Sequence, residues 1–201
     1  MSLNNSSAKV IKKKQRRRLT ASNFAAACGD SRFKTKRQLA DQILKISPDD
    51  PMNENMARGI KMEPYIMELY TKYTGNPIIK SWFKLPDYDH RIGGTPDGLI
   101  GDKGLIEIKC AKSMYISLYE DECMINPKEY IYINHYLQMI GYIEIFDKEW
   151  CDYVVYCPDE HLLKMIRIYR DKRYWNKYVY PKLVEFMEKY LKWMNDDGFD
   201  L

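Results

Sequence analysis

The residues best able to do chemistry in this sequence lie on two short segments that are predicted to form neighbouring strands. Segment 95–98 reads Thr-Pro-Asp-Gly, and after a Gly-rich turn segment 105–109 reads Leu-Ile-Glu-Ile-Lys. Side chains alternate between the two faces of a strand, so Glu107 and Lys109 share one face, and the preceding strand delivers Asp97 beside them. Neighbouring carboxylates can bind a hard divalent cation, and a nearby Lys can steady or deprotonate an attacking water. The pattern therefore suits phosphodiester hydrolysis.

A solvent-facing hairpin is the competing interpretation of the same spacing, because a single P-D-x(9)-E-x-K match has low specificity. Two details favour the chemical interpretation. Pro96 and Gly98 make a rigid bend that presents Asp97, and segment 106–109 alternates in the way typical of a central, half-buried strand.

A third carboxylate, Glu63, lies within a predicted helix over residues 55–73. It is in the middle of a stripe of apolar residues at helical spacing, namely Met56, Ile60, Met67 and Tyr70. A carboxylate on a core-facing stripe is costly unless it is paired or binds a metal. Either Glu63 points toward Asp97 and Glu107, where three acids could hold one or two Mg²⁺ ions, or it lies at the edge of the stripe and pairs with a cation such as Arg58.

Gln138 is a polar residue near an apolar stripe on a second predicted helix, over residues 128–143. Two interpretations stay open. The amide either satisfies its hydrogen bonds inside the protein, or it donates to a phosphate oxygen or a water. The three histidines, His90, His135 and His161, show no zinc-ligand spacing and are interpreted as structural or surface residues.

Length and composition predict one intracellular domain. The chain has 201 residues, 45% of them hydrophobic, without an apolar run of membrane-spanning length and without a signal-peptide pattern at the start. Five scattered cysteines indicate reduced thiols. They also disfavour a nuclease with an iron–sulfur cluster, because that site needs four cysteines with one upstream and three clustered near the C-terminus.

The positive charge is concentrated at the start of the chain. Residues 9–18 carry seven of the 32 basic residues and no acid, which leaves 25 basic against 28 acidic residues elsewhere. We therefore divide the chain into a basic, flexible arm over residues 1–18 and a single nuclease domain over residues 19–201. The arm is either a DNA-backbone contact, a nuclear-import signal or a solvated tail.

The remaining pattern predicts an α/β fold with a central mixed sheet flanked by helices. Helices are expected over 20–28, 35–46, 55–73, 128–143 and 172–195, with breaks or kinks possible at Pro64 and Pro181. Strands are expected over 78–84, 91–99, 105–110, 150–157 and 163–170, while segment 111–127 is ambiguous.

Several ordered motifs together resemble the lambda-exonuclease/YqaJ group of viral recombination nucleases, within the PD-(D/E)xK superfamily. The resemblance runs from about residue 18 to residue 199 and rests on the following segments: Leu-Thr-Ala-Ser at 19–22, Arg-Gly-x-x-x-Glu at 58–63 with Thr-Gly at 74–75, Thr-Pro-Asp-Gly at 95–98, Glu-Ile-Lys-Cys at 107–110, His-Tyr-Leu-Gln at 135–138 and the closing helix at 180–188. Such a series is far more specific than any one motif.

This resemblance implies a restriction-endonuclease-like core with a role for each matching residue. Asp97, Glu107 and the Ile108 carbonyl would bind metal, Glu63 would support a second ion or its water, and Lys109 would activate the nucleophilic water. The pocket for a DNA 5′-phosphate would be lined by Ser22, Thr95 and Gln138. The family's phosphate-binding Arg aligns with Gln15, so Arg16, Arg17 or Arg18 would substitute for it.

The resemblance further implies a Mg²⁺-dependent exonuclease, with Mn²⁺ able to substitute, that digests one strand of duplex DNA from a 5′ end. Its partners would be double-stranded DNA with free ends and a single-strand annealing protein. The chain itself would assemble into a homotrimeric ring. Its compartment would be the host cytoplasm or nucleus for a virus, and the cytoplasm for a phage. Two alternatives stay open: a structure- or site-specific endonuclease on the same fold, and a DNA-binding module with an inactive site.

Overall fold

A five-stranded mixed sheet forms the centre of the fold in the computed structural model, which describes residues 18–113 and 127–191. In sheet order the strands are β2 (Ile78–Lys80), β4 (Gly98–Ile100), β5 (Gly104–Cys110), β6 (Trp150–Cys157) and β7 (Leu162–Tyr169). The central pair, β5 and β6, is parallel, and the other neighbours are antiparallel. A separate parallel pair consists of β1 (Leu19–Thr20) and β3 (Ile92–Gly93).

Helices cover both faces of this sheet, which confirms the predicted α/β class. In chain order they are α1 (Phe24–Cys28), preceded by a 3₁₀ turn (Ala21–Asn23), α2 (Lys36–Ile43), α3 (Glu54–Thr74), α4 (Pro127–Tyr130), α5 (Ile133–Phe146), α6 (Lys172–Tyr174) and α7 (Tyr180–Tyr190), with a π-helical turn (Trp175–Val179) between the last two. Among the described helices, none is long and apolar enough to cross a membrane.

Each face of the sheet packs against its own set of helices, because residues along β5 alternate between two cores. Leu105 joins the core that contains α1, α5 and α7, whereas Ile106 and Ile108 join a smaller core with Ile66 and Tyr70 of α3. Glu107 has the parity of Leu105, so its side chain lies on the face that α5 covers.

The predicted helix over residues 55–73 is confirmed as α3, which continues through Pro64 without a break. The burial expected for the first half of its apolar stripe is wrong, because Met56 and Ile60 are 47% and 61% exposed. Mainly the second half of α3 packs on the sheet, where Ile66 and Tyr70 are buried. The first half extends past the core and instead forms the wall of a cavity.

Other predicted boundaries change where the chain bends. The strands predicted at 78–84 and 91–99 shorten to β2 and to the pair β3 and β4. The helix predicted at 128–143 is two helices, since Tyr132 has an extended backbone at the start of α5. The helix predicted at 172–195 contains the π-helical turn and resumes as α7 at Tyr180. The predictions for residues 192–195 and for most of the ambiguous segment, residues 114–126, lie outside the described residues.

Candidate active site

The predicted hairpin brings Asp97 and Glu107 onto neighbouring strands. Asp97 immediately precedes β4, which pairs with β5 so that Gly98 lies opposite Ile106. The Asp97 Oδ2 accepts a hydrogen bond of 2.6 Å from the backbone N–H of Ile108. Because that N–H belongs to β5, the same strand that carries Glu107 also fixes the position of the Asp97 carboxylate.

Glu107 and Lys109 form an ion pair inside the protein rather than at its surface. The Lys109 Nζ donates to Glu107 Oε1 at 2.5 Å, and Glu107 is only 2% exposed. The other oxygen, Oε2, is buried and has no hydrogen-bond partner among the described residues. A buried carboxylate oxygen without a partner is costly, so Glu107 Oε2 can still accept a hydrogen bond or bind a cation.

Glu63 belongs to the same electrostatic environment, although it comes from a helix on the other face. Burial raises the pKa of Glu63, the charge of Glu107 raises it further, and Lys109 and Lys80 oppose the shift. Burial and the charge of Glu107 likewise raise the pKa of Asp97 well above its usual range. The charge of Glu107 thus disfavours ionisation of both Asp97 and Glu63, a repulsion that a cation between them would relieve.

The acids approach one another without forming a finished metal cage. Within residues 18–113 and 127–191, no group of three or more His, Cys, Asp or Glu side chains is close enough to hold an ion by itself. The alternative pairing of Glu63 with Arg58 is not the one observed, because the Arg58 Nη2 donates to Asn55 Oδ1 at 2.9 Å.

A cavity of about 700 Å³ opens beside these groups. One wall is the first half of α3, including Arg58, Gly59 and Glu63, and another is the end of β5 with Ile108 and Lys109. Lys109 and Glu63 both line the cavity, so a phosphate group that entered it would lie near an ammonium and a carboxylate. The space therefore suits a ligand that carries negative charge and recruits a cation.

The residues predicted for a 5′-phosphate pocket come from three elements that pack together around Gly94. A Cβ at Gly94 would lie 2.6 Å from the ring of Tyr142 in α5 and 3.3 Å from Ala21, which begins the 3₁₀ turn. Only glycine permits this approach. It brings the turn that carries Ser22 and the helix that carries Gln138 to the loop containing the next residue, Thr95.

Comparison with known proteins identifies the family. Residues 12–143 match the YqaJ-like viral recombinase domain. This chain belongs to that family. Among functionally curated proteins, none has a sequence that matches the chain.

Solved structures with the same fold resemble this YqaJ-family chain over nearly its whole length. An alkaline exonuclease (LHK-Exo) from Laribacter hongkongensis is 22% identical, with a TM-score of 0.74 and 94% of each chain covered. The same enzyme in complex with dAMP gives 24% identity, a TM-score of 0.73 and the same coverage. A phage related exonuclease from Haemophilus somnus 129PT is 17% identical, with a TM-score of 0.68, covering 89% of this chain and 96% of that one.

In this YqaJ-family chain, the three side chains predicted for the 5′-phosphate pocket differ in their hydrogen bonding. Ser22 is exposed, with its Oγ 3.1 Å from Thr20 Oγ1. The Thr95 hydroxyl is buried and lacks a hydrogen-bond partner among the described residues. The Gln138 Nε2 donates to the Tyr142 hydroxyl at 2.9 Å. Both interpretations of Gln138 thus remain compatible, because Tyr142 uses only one of the two amide protons.

The basic candidates for phosphate binding are placed in part. Arg16 and Arg17 lie outside the described residues. The Arg18 Nε donates to the backbone carbonyl of His90 at 3.1 Å, and burial lowers the pKa of the guanidinium. This contact helps to attach the start of β1 to the loop before β3.

Two further residues lie near the site: Tyr153, which the sequence did not single out, and His135, which the sequence indicated only as a structural or surface residue. Tyr153 lies opposite Glu107 in the parallel β5–β6 register, and its hydroxyl is 2.6 Å from His135 Nδ1. His135 also lines the cavity, where burial lowers its pKa to about 3. Its helical spacing with Gln138 and Tyr142 was the available signal, since positions 135, 138 and 142 share one face of α5.

We expect the stability of the fold to decrease in mild acid because of His135. Its folded pKa of about 3 is below the ordinary 6.5, so between these values the unfolded chain binds a proton that the folded chain excludes. Stability is therefore complete above pH 6.5 and declines as the pH falls toward 3. Urea unfolding of wild type and His135→Gln at pH 7 and pH 5 measures the effect, about 1–2 kcal/mol of extra loss in wild type.

The matched control is His90→Gln, at an exposed position whose backbone carbonyl, not its ring, makes the contact to Arg18. This variant should lose as much stability as wild type between pH 7 and pH 5. An equal loss in all three proteins would show that His135 does not carry the pH dependence.

Proposed function

We propose that this protein is a Mg²⁺-dependent deoxyribonuclease that resects the 5′ strand of linear duplex DNA and leaves 3′ single-stranded tails, with Mn²⁺ able to replace Mg²⁺. The observation that carries the proposal is the arrangement around β5. There Asp97 is fixed by the Ile108 N–H, and Lys109 is bonded to a Glu107 that retains an unsatisfied oxygen. Membership of a viral recombinase family and the fold shared with exonucleases support it.

The residues present fit a hard divalent cation. Asp97, Glu107 and Glu63 would supply carboxylate oxygens and the Ile108 carbonyl would supply a neutral one, and Mg²⁺ and Mn²⁺ prefer oxygen ligands. The unsatisfied Glu107 Oε2 and the raised pKa of Asp97 are both features that a bound cation would correct. Such an ion would supply neutralisation of the charge that develops on the phosphate during hydrolysis.

The chain's own groups then hold and orient the reactants. Lys109, positioned by its bond to Glu107, orients an attacking water or takes part in its deprotonation. The hydroxyls of Ser22 and Thr95 and the free amide proton of Gln138 donate to the terminal 5′-phosphate. Selecting a terminal phosphate in this way restricts cleavage to DNA ends.

Digestion of a duplex labelled on either strand end tests the proposal directly. With Mg²⁺, a 5′ label should be released as mononucleotide at the earliest times, while a 3′ label should stay on a shortening strand. Closed-circular DNA of the same sequence should stay intact. Early release of the 3′ label would reverse the proposed polarity, and nicking of the circle would favour the endonuclease alternative.

The basic arm, a homotrimeric assembly and a single-strand annealing partner complete the proposal. Arg16, Arg17 and Arg18 belong to the most basic segment of the chain and would attract the DNA backbone. These points rest on the family resemblance and on charge. Light scattering of the purified protein, with and without duplex DNA, tests the assembly.

Replacing Gln138 by Ala should weaken the preference for 5′-phosphorylated ends. The amide offers a donor beside the Thr95 loop, and a hydrogen bond to a charged phosphate is worth roughly a tenfold effect or more in affinity. The ratio of kcat/KM for 5′-phosphate over 5′-hydroxyl duplexes should therefore fall by about tenfold.

Asn134→Ala is the matched control for Gln138→Ala, because Asn134 is an amide on the same helix that bonds to Ser31 instead. Its ratio should equal that of wild type. A wild-type enzyme that degrades both ends alike would remove the basis for the phosphate pocket altogether.

A further inference from the structure

Gly59 is a helix-interior glycine without a packing reason. It lies in the second turn of α3, where glycine is among the least favourable residues for a helix. Within the described part of the chain, no atom of a neighbouring element lies within 4 Å of the position that a Cβ would occupy there. Gly94 and Gly141, by contrast, would place a Cβ against aromatic rings at 2.6 and 2.4 Å. Gly59 lines the cavity, so the open space beside it is part of that cavity.

Arg58, the preceding residue, presents an unused donor in the same wall. Its Nη2 donates to Asn55, while its Nε is buried and has no hydrogen-bond partner among the described residues. A guanidinium offers five N–H donors in a planar fork that matches the oxygens of a phosphate group. Arg58 lines the cavity and its guanidinium keeps an unsatisfied N–H donor, so it is suited to bind such an oxygen.

The surroundings favour an anion at this place. The cavity lies against the first turns of the 21-residue helix α3, whose amino-terminal end carries partial positive charge, and Lys112 also lines the cavity and adds a cation. Glu63 and Lys109 line the same space, so an anion bound by Arg58 would be next to the proposed reaction centre.

We propose that Arg58 and Gly59 form a subsite for a backbone phosphate of the DNA strand, with Arg58 binding the phosphate oxygens and Gly59 leaving room for the strand against α3. This inference rests on the proposed function, since it concerns the same substrate. It assigns to Gly59 a role in substrate access that outweighs its cost in helix stability.

Substitutions at Gly59 separate this role from folding. Gly59→Ala should raise the thermal midpoint, because alanine favours the helix and its Cβ meets open space. Gly59→Leu should keep the fold but lower the affinity for duplex DNA by roughly tenfold, since the side chain fills the strand's path. Ala57→Leu, at an exposed position of α3 outside the cavity wall, should bind like wild type.

Fluorescence anisotropy of a labelled, 5′-phosphorylated duplex in EDTA measures this binding without cleavage. The readout does not depend on hydrolysis, so a wild-type protein that binds but fails to cut would defeat the proposed function while leaving the subsite measurable. A Gly59→Leu protein that is folded and binds as tightly as wild type would overturn the subsite.

Arg58→Gln supplies a second measurement through its salt dependence. Each phosphate contact contributes roughly 0.9 to the slope of log affinity against log salt concentration, so the slope should fall by about one. Arg37→Gln removes the same charge from an exposed arginine that pairs with Asp41, and its slope should match wild type.

Competition with dAMP distinguishes the backbone phosphate from the phosphate of a released nucleotide. Arg58→Gln should weaken duplex binding whether or not dAMP competition changes. A loss confined to dAMP, with duplex affinity and salt slope unchanged, would overturn the backbone assignment. An unchanged slope in a folded Arg58→Gln protein would do so as well.

Discussion

Replacing Asp97 by Asn should reduce Mg²⁺-dependent nucleotide release by about 10³-fold or more, while duplex binding in EDTA stays within about twofold of wild type. Asparagine keeps the shape of the side chain, and its carbonyl oxygen can still accept the hydrogen bond from the Ile108 N–H. Only the negative charge and one anionic oxygen are lost. A loss of turnover without a loss of binding therefore identifies Asp97 as a group that acts on the cation.

The control for this experiment is Asp102→Asn. Asp102 is an exposed carboxylate in the turn between β4 and β5, only five residues along the chain, and the contact there uses its backbone carbonyl. This variant should cleave DNA at the wild-type rate. Retention of more than a tenth of the activity by Asp97→Asn would contradict the assignment. The same variant should unfold at an unchanged or higher urea concentration, because the buried carboxylate charge that Glu107 repels is gone.

The sequence was sufficient to predict which residues of the candidate site lie together where its information is local. Asp97, Glu107 and Lys109 belong to one hairpin, so the alternation of a single strand and one turn sets their relative positions. Helix ends followed the same logic. The helices predicted over 20–28 and 55–73 end, as α1 and α3, close to these limits, and Gly29 and Gly75, which directly follow them, both have the left-handed backbone conformation that glycine favours.

Prediction failed where the answer depends on how far one element extends beneath another. Helical spacing correctly placed Met56 and Ile60 on one stripe with Tyr70, yet the sheet lies under Tyr70 and ends before it reaches the first two. Periodicity states which residues share a face, and it contains no information about what covers that face along its length.

Contacts set by long-range register were equally out of reach. His135 meets Tyr153 only because β6 runs parallel to β5 and is joined to it through α5. The unsatisfied donor on Arg58 is likewise a property of the assembled cavity. The sequence motif shows that Arg58 is present, but only the structure shows that its Nε has no acceptor among the described residues.

The second large effect concerns stability, and it is expected from Arg167→Met. Asp152 is fully buried and accepts hydrogen bonds from Tyr70 at 2.7 Å and from Arg167 at 2.7 and 2.9 Å. The guanidinium also lies 3.6 Å from the centre of the Trp150 ring. Removing the cation leaves a buried carboxylate with only a phenol, which should lower the free energy of unfolding by about 3–5 kcal/mol.

Urea denaturation measures this loss, and Arg173→Met, which removes an exposed charge from α6, should change stability by no more than about 0.5 kcal/mol. Adding Asp152→Asn to Arg167→Met should restore part of the stability, because the penalty comes from the isolated charge and not from the missing arginine. Additive losses in the double variant would show that the two residues are not coupled. The network also joins α3 to β6 and β7, so coupling of this size would explain how a helix that packs on the sheet mainly through its second half can hold Glu63 and Arg58 at the cavity wall.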